Sequence, residues 1–256
     1  MNSKLRTGQF IIDEKVNQIT FLDTRFYKLG DRDIYLPSVS TVLEAYPKGI
    51  AFLEWLKKNG EDADSIRDAA AERGSIVHRL TEDYDNGVPL SLQNPDGSVG
   101  YKFSEWEMFE KYVEFTNRIK PEILSTELNL VSEQLGIGGT LDRRVNIAGK
   151  RLIVDIKTSK MLHNSYWLQL AAYKRLYEEK FPDDPIENVA ILWLNANTRT
   201  DGKNGAIQGK GWQLVFPDRD IEYYWRLFEC TQQLWLEENQ GRKPRFLTYN
   251  LTHQKQ

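Results

Sequence analysis

Within Gly138–Lys160, GGTLDRRVNIAGKRLIVDIKTSK, the aliphatic run L-I-V-D-I-K spends two of its positions on charge, Asp155 and Lys157. Alternate side chains of an extended chain share a face, so Asp155 and Lys157 point one way and Val154 and Ile156 the other. Asp142 sits on the preceding run. The Ala148-Gly149 turn folds the two runs into a hairpin, where cross-strand pairing can bring its carboxylate near Asp155. Carboxylates that close repel one another unless a proton or a cation lies between them. Hard oxygen ligands suit Mg2+ or Mn2+, which keep waters and substrate phosphate oxygens in their remaining positions, and the Ile156 carbonyl can supply a further ligand. Lys157 could then hold and polarise an attacking water and offset the negative charge that builds up in phosphodiester hydrolysis, while the metal clamps the phosphate. A surface hairpin with a plain Asp–Lys ion pair is the alternative these residues alone leave open.

The neighbouring segments must position that hairpin. Period-2 alternation predicts strands over 122–133, 138–147 and 150–157, followed by a helix over 165–180 and an apolar strand over 189–194. A strand over 212–216 and a helix over 218–238 complete the pattern, with the loop NANTRTDGKNGAIQGKG before them. Upstream, alternating residues over 19–22, 25–29 and 33–36 predict a small β-meander. Helices are expected over 38–46, 50–58, 64–85 and 101–120, the first capped by Ser38 and the last stopped by Pro121. Strands mixed with helices in this order predict an α/β (α+β) fold, a mixed central β-sheet flanked by helices.

At 256 residues with 40% hydrophobic content, the chain can build one sizeable core, and a single domain is expected. No run reaches the roughly 20 apolar residues of a membrane span, and MNSKLRTGQF lacks a signal-peptide core, so a cytoplasmic protein with no membrane partner is expected. The lone Cys230 excludes an internal disulfide and a four-thiolate iron-sulfur cluster. A net charge of -3 argues against non-specific coating of nucleic acid, but the charge is unevenly spread. Leu141–Lys160 holds six Lys/Arg against two Asp, and the last sixteen residues carry Arg242, Lys243, Arg245 and Lys255 with no acid. Most of the seven tryptophans fall at amphipathic positions and should be core; one or two could stack unpaired bases.

The ordered motifs G-G-T-L-D, V-D-I-K-T-S and Gln169-L-A-A-Tyr173 resemble the PD-(D/E)xK nuclease superfamily, specifically its RecB-like exonuclease branch with the Q-x-x-x-Y signature. PSVSTVL and FLEWLK, at 37–57, resemble more weakly the start of mitochondrial genome maintenance exonucleases and related phage nucleases. The resemblance implies a restriction-endonuclease-like core over 61–240, after an N-terminal meander with helices over 1–60 and before a basic tail over 241–256. It makes Asp142 and Asp155 the metal-binding carboxylates and Lys157 the catalytic lysine, with His78 of ERGSIVH completing the metal shell. Glu127 matches an acid on the preceding strand, with Glu133 as a competitor.

Gln169 and Tyr173, four apart on one helix face, would lie beside the centre, Gln169 orienting Lys157 or a phosphate and Tyr173 supporting DNA contact. Thr158 and Ser159 could bind phosphate through hydroxyl or backbone N–H groups, as could Ser38, Ser40 and Thr41 near a DNA end. No G-x-x-x-x-G-K-[ST] loop is present, so an ATP-driven motor in the same polypeptide is not expected. The implied activity is an Mg2+- or Mn2+-dependent exonuclease preferring single-stranded DNA ends, in phage or bacterial recombination, repair or replication, with proteins of those processes as partners. A double-strand exonuclease, a structure-specific endonuclease, an RNA substrate and a non-catalytic nucleic-acid-binding module remain as alternatives.

Overall fold

The computed structural model describes residues 4–7, 10–13, 18–21, 24–196, 211–241, 243–244 and 247–250. Near the N-terminus, β1 (Lys4–Thr7), β2 (Phe10–Asp13), β3 (Gln18–Phe21), β4 (Thr24–Lys28) and β5 (Tyr35–Pro37) precede the short helix α1 (Val39–Val42). Helices α2 (Ile50–Asn59), α3 (Ala63–Asp85) and α4 (Phe103–Ile119) follow. Pro121 cannot continue a helix, and α4 stops just before it with Lys120 in the left-handed region at φ 52°. The period then changes to two, and the chain forms β6 (Glu122–Ser132), β7 (Ile137–Ile147) and β8 (Lys150–Lys157). Ala148 and Gly149 join the last two with φ of 52° and 82°, the paired positive values that a two-residue turn of type I′ requires. The remainder is α5 (Asn164–Lys180), β9 (Asn188–Ala196), β10 (Gly211–Val215), α6 (Ile221–Glu238) and β11 (Leu247–Asn250).

The fold is mixed α/β, as the order of periodicities predicts. The central sheet runs β10–β9–β8–β7–β6, antiparallel throughout except for the parallel β8–β9 pair that α5 connects. Both faces are covered, which is why β8 and β9 read as nearly continuous aliphatic runs. Ile153 and Ile191 pack towards α5 and α6 with Leu168, Ala172 and Phe228. Leu152, Val154 and Ile156 pack on the other side with Val77 of α3 and Met108 and Phe115 of α4.

The N-terminal strands β2, β3, β4 and β5 pair in sequence order as an antiparallel sheet, and β1 pairs with β11. Sequence periodicity finds β3 to β5 but not β1, β2 or β11. Of these, β1 and β11 pair only with each other, across the whole length of the chain. Within the segment expected as a basic tail over 241–256, residues 247–250 form a strand. Of its basic residues only Lys243 is described, with Nζ 3.9 Å from Asp33; most of the loop after β9 lies outside the described residues.

The two glycines of G-G-T have a steric cause. A Cβ on Gly138 would sit 2.6 Å from Tyr27 Cγ, and one on Gly139 would sit 2.5 Å from Tyr173 Cε1. The rings of β4 and α5 therefore lie directly on the β7 backbone, so α5 can carry Gln169 close to the end of β8. Gly139→Ala is expected to destabilise the protein by about 1–3 kcal/mol through overpacking. Urea unfolding would measure this, and an unchanged midpoint would contradict the close ring contact.

Candidate active site

The β7–β8 ladder runs from Ile147↔Lys150 to Arg143↔Val154 and stops there. Beyond that point β7 stays with β6 through Leu141↔Leu128, while β8 stays with β9 through Lys157↔Trp193. The two strands part at Asp142. Its Oδ2 accepts the Ile156 N–H at 2.8 Å, so the carboxylate serves the backbone donor that the ladder no longer pairs.

Helix α3 closes over this fork. At Gly74 it passes close to Thr158, where a Cβ would lie 3.4 Å from Oγ1, in ordinary van der Waals contact. One turn later His78 Nε2 lies 3.0 Å from the Ile156 carbonyl, and Nδ1 lies 3.5 Å from Asp142 Oδ2. Glu127 of β6 holds a left-handed backbone at φ 45°, a conformation that costs a non-glycine residue free energy. One ligand atom from each of His78, Glu127 and Asp142 falls within 4.8 Å of the others. An imidazole with two carboxylates matches a divalent cation, and the nitrogen suits Mn2+ better than Mg2+, which favours oxygen ligands.

Asp155 stands beside this triad and is 1% exposed. Its Oδ2 is 2.6 Å from Lys157 Nζ, yet neither carboxylate oxygen has an aligned hydrogen-bond donor. Burial pushes its pKa up to about 6 and the Asp142 charge pushes the same way, against the opposing pull of the Lys157 ammonium. Burial also pulls Lys157 down, but the charges of Asp155 and Asp142 outweigh it and raise the pKa, so this side chain is a cation at neutral pH. Gln169 Oε1 accepts from Lys157 Nζ at 3.0 Å, and Gln169 Nε2 donates to Tyr173 Oη at 2.9 Å. The Tyr166 ring covers the ammonium with its centroid 4.6 Å from Nζ.

Burial raises the Glu127 pKa to about 7, with Asp142 adding to the rise and Arg143 opposing it. Both acids thus bind protons more tightly folded than unfolded, where carboxyl pKa values lie near 4. Their contribution to stability is complete below about pH 4 and is lost as pH rises through the folded values. Without metal, the melting temperature is expected to fall between pH 4 and pH 7 from this cause. Mn2+ bound at this cluster would compete with those protons, so its stabilising shift should be larger at pH 7 than at pH 5. Thermal melts at both pH values would measure this, and a larger shift at pH 5 would contradict it.

The other expected site residues divide by position. Tyr173 is buried, with its ring on Gly139 and its hydroxyl on Gln169, so the expected DNA contact is corrected to a support for the Gln169–Lys157 pair. Ser38 is buried as well. Its Oγ accepts from Thr41 N at 3.0 Å and caps α1, as its place before the helix predicts, and it also bonds the Ser40 and Thr41 hydroxyls, so it is not offered to a phosphate. Ser40 is exposed. Thr158 is buried with its carbonyl accepting from Asn195, while Ser159 Oγ donates to the Met161 carbonyl. Glu133 pairs with Arg32 at the surface, which leaves Glu127 as the acid near the centre. The Ile156 carbonyl faces His78 rather than standing free.

Sequence reasoning does not single out Arg143, Thr81 or Tyr166. The first lies in the basic run R-R and reads as surface charge, although it is 1% exposed. The only signal available was its place one residue after Asp142.

No family model and no curated protein matches this chain. Among solved structures, it is similar to a candidate exonuclease from Eubacterium rectale, with 14% identity, a TM-score of 0.41, and coverage of 81% of this chain and 82% of that one. It is also similar to SSO0001, with 14% identity, a TM-score of 0.27, and coverage of 68% of this chain and 88% of that one.

Proposed function

We propose that this chain is a divalent-metal-dependent DNA nuclease, acting as an exonuclease on single-stranded ends. The observation that carries the proposal is the convergence of His78, Glu127 and Asp142 beside the buried Asp155–Lys157 pair. A structural ion pair would need neither the imidazole nor the extra carboxylates, and stacking several acids at one fork without a cation costs free energy.

His78, Glu127, Asp142 and Asp155 would hold the ion. Mg2+ or Mn2+ bound there would supply Lewis acidity to the scissile phosphate and make a bound water easier to deprotonate. The protein's own groups do the rest. Lys157 presents a fixed ammonium to the attacking water and to the negative charge growing on the phosphoryl oxygens, and desolvation strengthens that interaction. Gln169 and Tyr166 hold the ammonium in one place, so little reorganisation is needed as charge develops.

The preference for unpaired strands is supported by α2. It buries none of its residues, and Ile50, Phe52 and Leu53 are exposed. Phe52 stacks on Trp55 at 5.9 Å, and Lys48 Nζ lies 6.0 Å from the Phe52 ring. The Lys48 charge reaches His163 and helps lower its pKa, after burial, and His163 meets Tyr166 edge-on at 5.3 Å. A track of rings and cations thus leads from Lys157 to an open aromatic face. Trp167, Trp212, Trp225 and Trp235 are buried; Trp55 is half-buried, as are Trp106 and Trp193, and it stacks on the exposed Phe52 of this face. Unpaired bases offer their faces to such a track and paired bases do not.

The test is digestion of end-labelled single-stranded, double-stranded and circular DNA, with a matched RNA strand, in Mn2+ and in EDTA. The expected result is metal-dependent shortening of linear single strands from an end. Cutting that survives EDTA would overturn the metal reading. Rapid cutting of circles would show an endonuclease, and faster loss of duplex would show a double-strand enzyme.

A further inference from the structure

Arg143 lies behind the candidate centre and is almost fully buried. A buried guanidinium needs a counter-charge and partners for its five donors. Asp85 at the end of α3 supplies the charge, with Oδ2 2.6 Å from Arg143 Nε, and Tyr112 of α4 donates to the same oxygen at 2.6 Å. Those contacts suffice to explain a core ion pair. They do not explain where the other donors go.

The remaining nitrogens reach all three members of the triad. Nη1 donates to the Asp142 carbonyl at 2.8 Å and lies 3.5 Å from Glu127 Oε1. Nη2 donates to Thr81 Oγ1 at 3.1 Å, and the Thr81 hydroxyl donates to the His78 carbonyl at 2.8 Å. One planar group therefore ties β6, β7 and α3 together at the three residues whose ligand atoms converge. We propose that Arg143 is a positioning residue that sets the spacing of His78, Glu127 and Asp142, so that divalent-cation affinity depends on its fork. This rests on the metal reading of the site.

A lysine at this position keeps the charge for Asp85 but cannot span Glu127, the Asp142 carbonyl and Thr81 at once. Thr81→Val is nearly isosteric and removes the hydroxyl that accepts from Arg143 Nη2 and donates to the His78 carbonyl, while the Asp85, Asp142 and Glu127 contacts of the guanidinium stay. Groups that orient metal ligands typically change affinity by about 10- to 100-fold when removed. The experiment is a Mn2+ titration followed by electron paramagnetic resonance of free Mn2+, on the parent, Arg143→Lys and Thr81→Val, with melting temperatures in parallel.

The proposal expects affinity about 10-fold weaker in both variants, with a folded state retained. It also expects hydrolysis to recover at saturating Mn2+, since Lys157 is untouched. Should Arg143→Lys fail to fold, Thr81→Val decides alone. Lower melting temperatures with parental Mn2+ affinity would reduce Arg143 to a core counter-ion and overturn the proposal. A parent that binds no Mn2+ at this site would overturn the metal reading, and this proposal with it.

Discussion

Replacing Lys157 by alanine is expected to slow phosphodiester hydrolysis by about 100- to 1,000-fold, the usual cost of removing a preorganised group aimed at developing charge. Mn2+ binding should survive. The Asp155 carboxylate, 2.6 Å from Nζ in the parent, loses its ammonium partner and becomes freer to serve a metal ion. Gln169 keeps its bond to Tyr173, so α5 stays in place. The pattern to look for is a large fall in kcat with metal affinity equal to or above that of the parent. A variant that loses Mn2+ along with activity would mean that Lys157 organises the centre rather than taking part in the chemistry.

Asp142→Asn has the opposite signature. An asparagine Oδ1 can still accept the Ile156 N–H that Asp142 Oδ2 accepts at 2.8 Å, so the end of the β7–β8 ladder should hold and the protein should fold. The variant loses a negative charge facing His78, Glu127 and Asp155. Mn2+ affinity is expected to fall by more than about 100-fold, because a direct ligand counts for more than its supports. Activity should fall with it and return only in part at high Mn2+. Calorimetric titration would measure this, and parental affinity in Asp142→Asn would remove Asp142 from the ligand set.

The hairpin that bears Asp142, Asp155 and Lys157 was legible because two strand-like runs flank Ala148-Gly149, and the structure gives that pair the positive φ values of a tight turn. The helix bearing Gln169 and Tyr173 was legible from their spacing of four. What a linear reading does not contain is the departure of β7 from β8 at Asp142, which depends on β6 and β9 holding the two strands to different sides. The same limit applies to Glu127, where only the three-dimensional register separates it from Glu133. Arg143 was hidden for a different reason. Burial of a guanidinium depends on Asp85 and Tyr112, which arrive from helices 58 and 31 positions upstream, and no local pattern announces that. Tyr173 shows the converse, since motif position suggested contact with substrate and burial gives it to Gln169.

The proposed chemistry requires a metal ion at the fork. Crystals of the parent protein soaked in Mn2+ and measured by anomalous diffraction test this most directly. The prediction is an anomalous peak within bonding distance of His78, Asp142 and at least one of Glu127 and Asp155. A clean map with no peak among these residues, or a sole peak elsewhere on the chain, would contradict it.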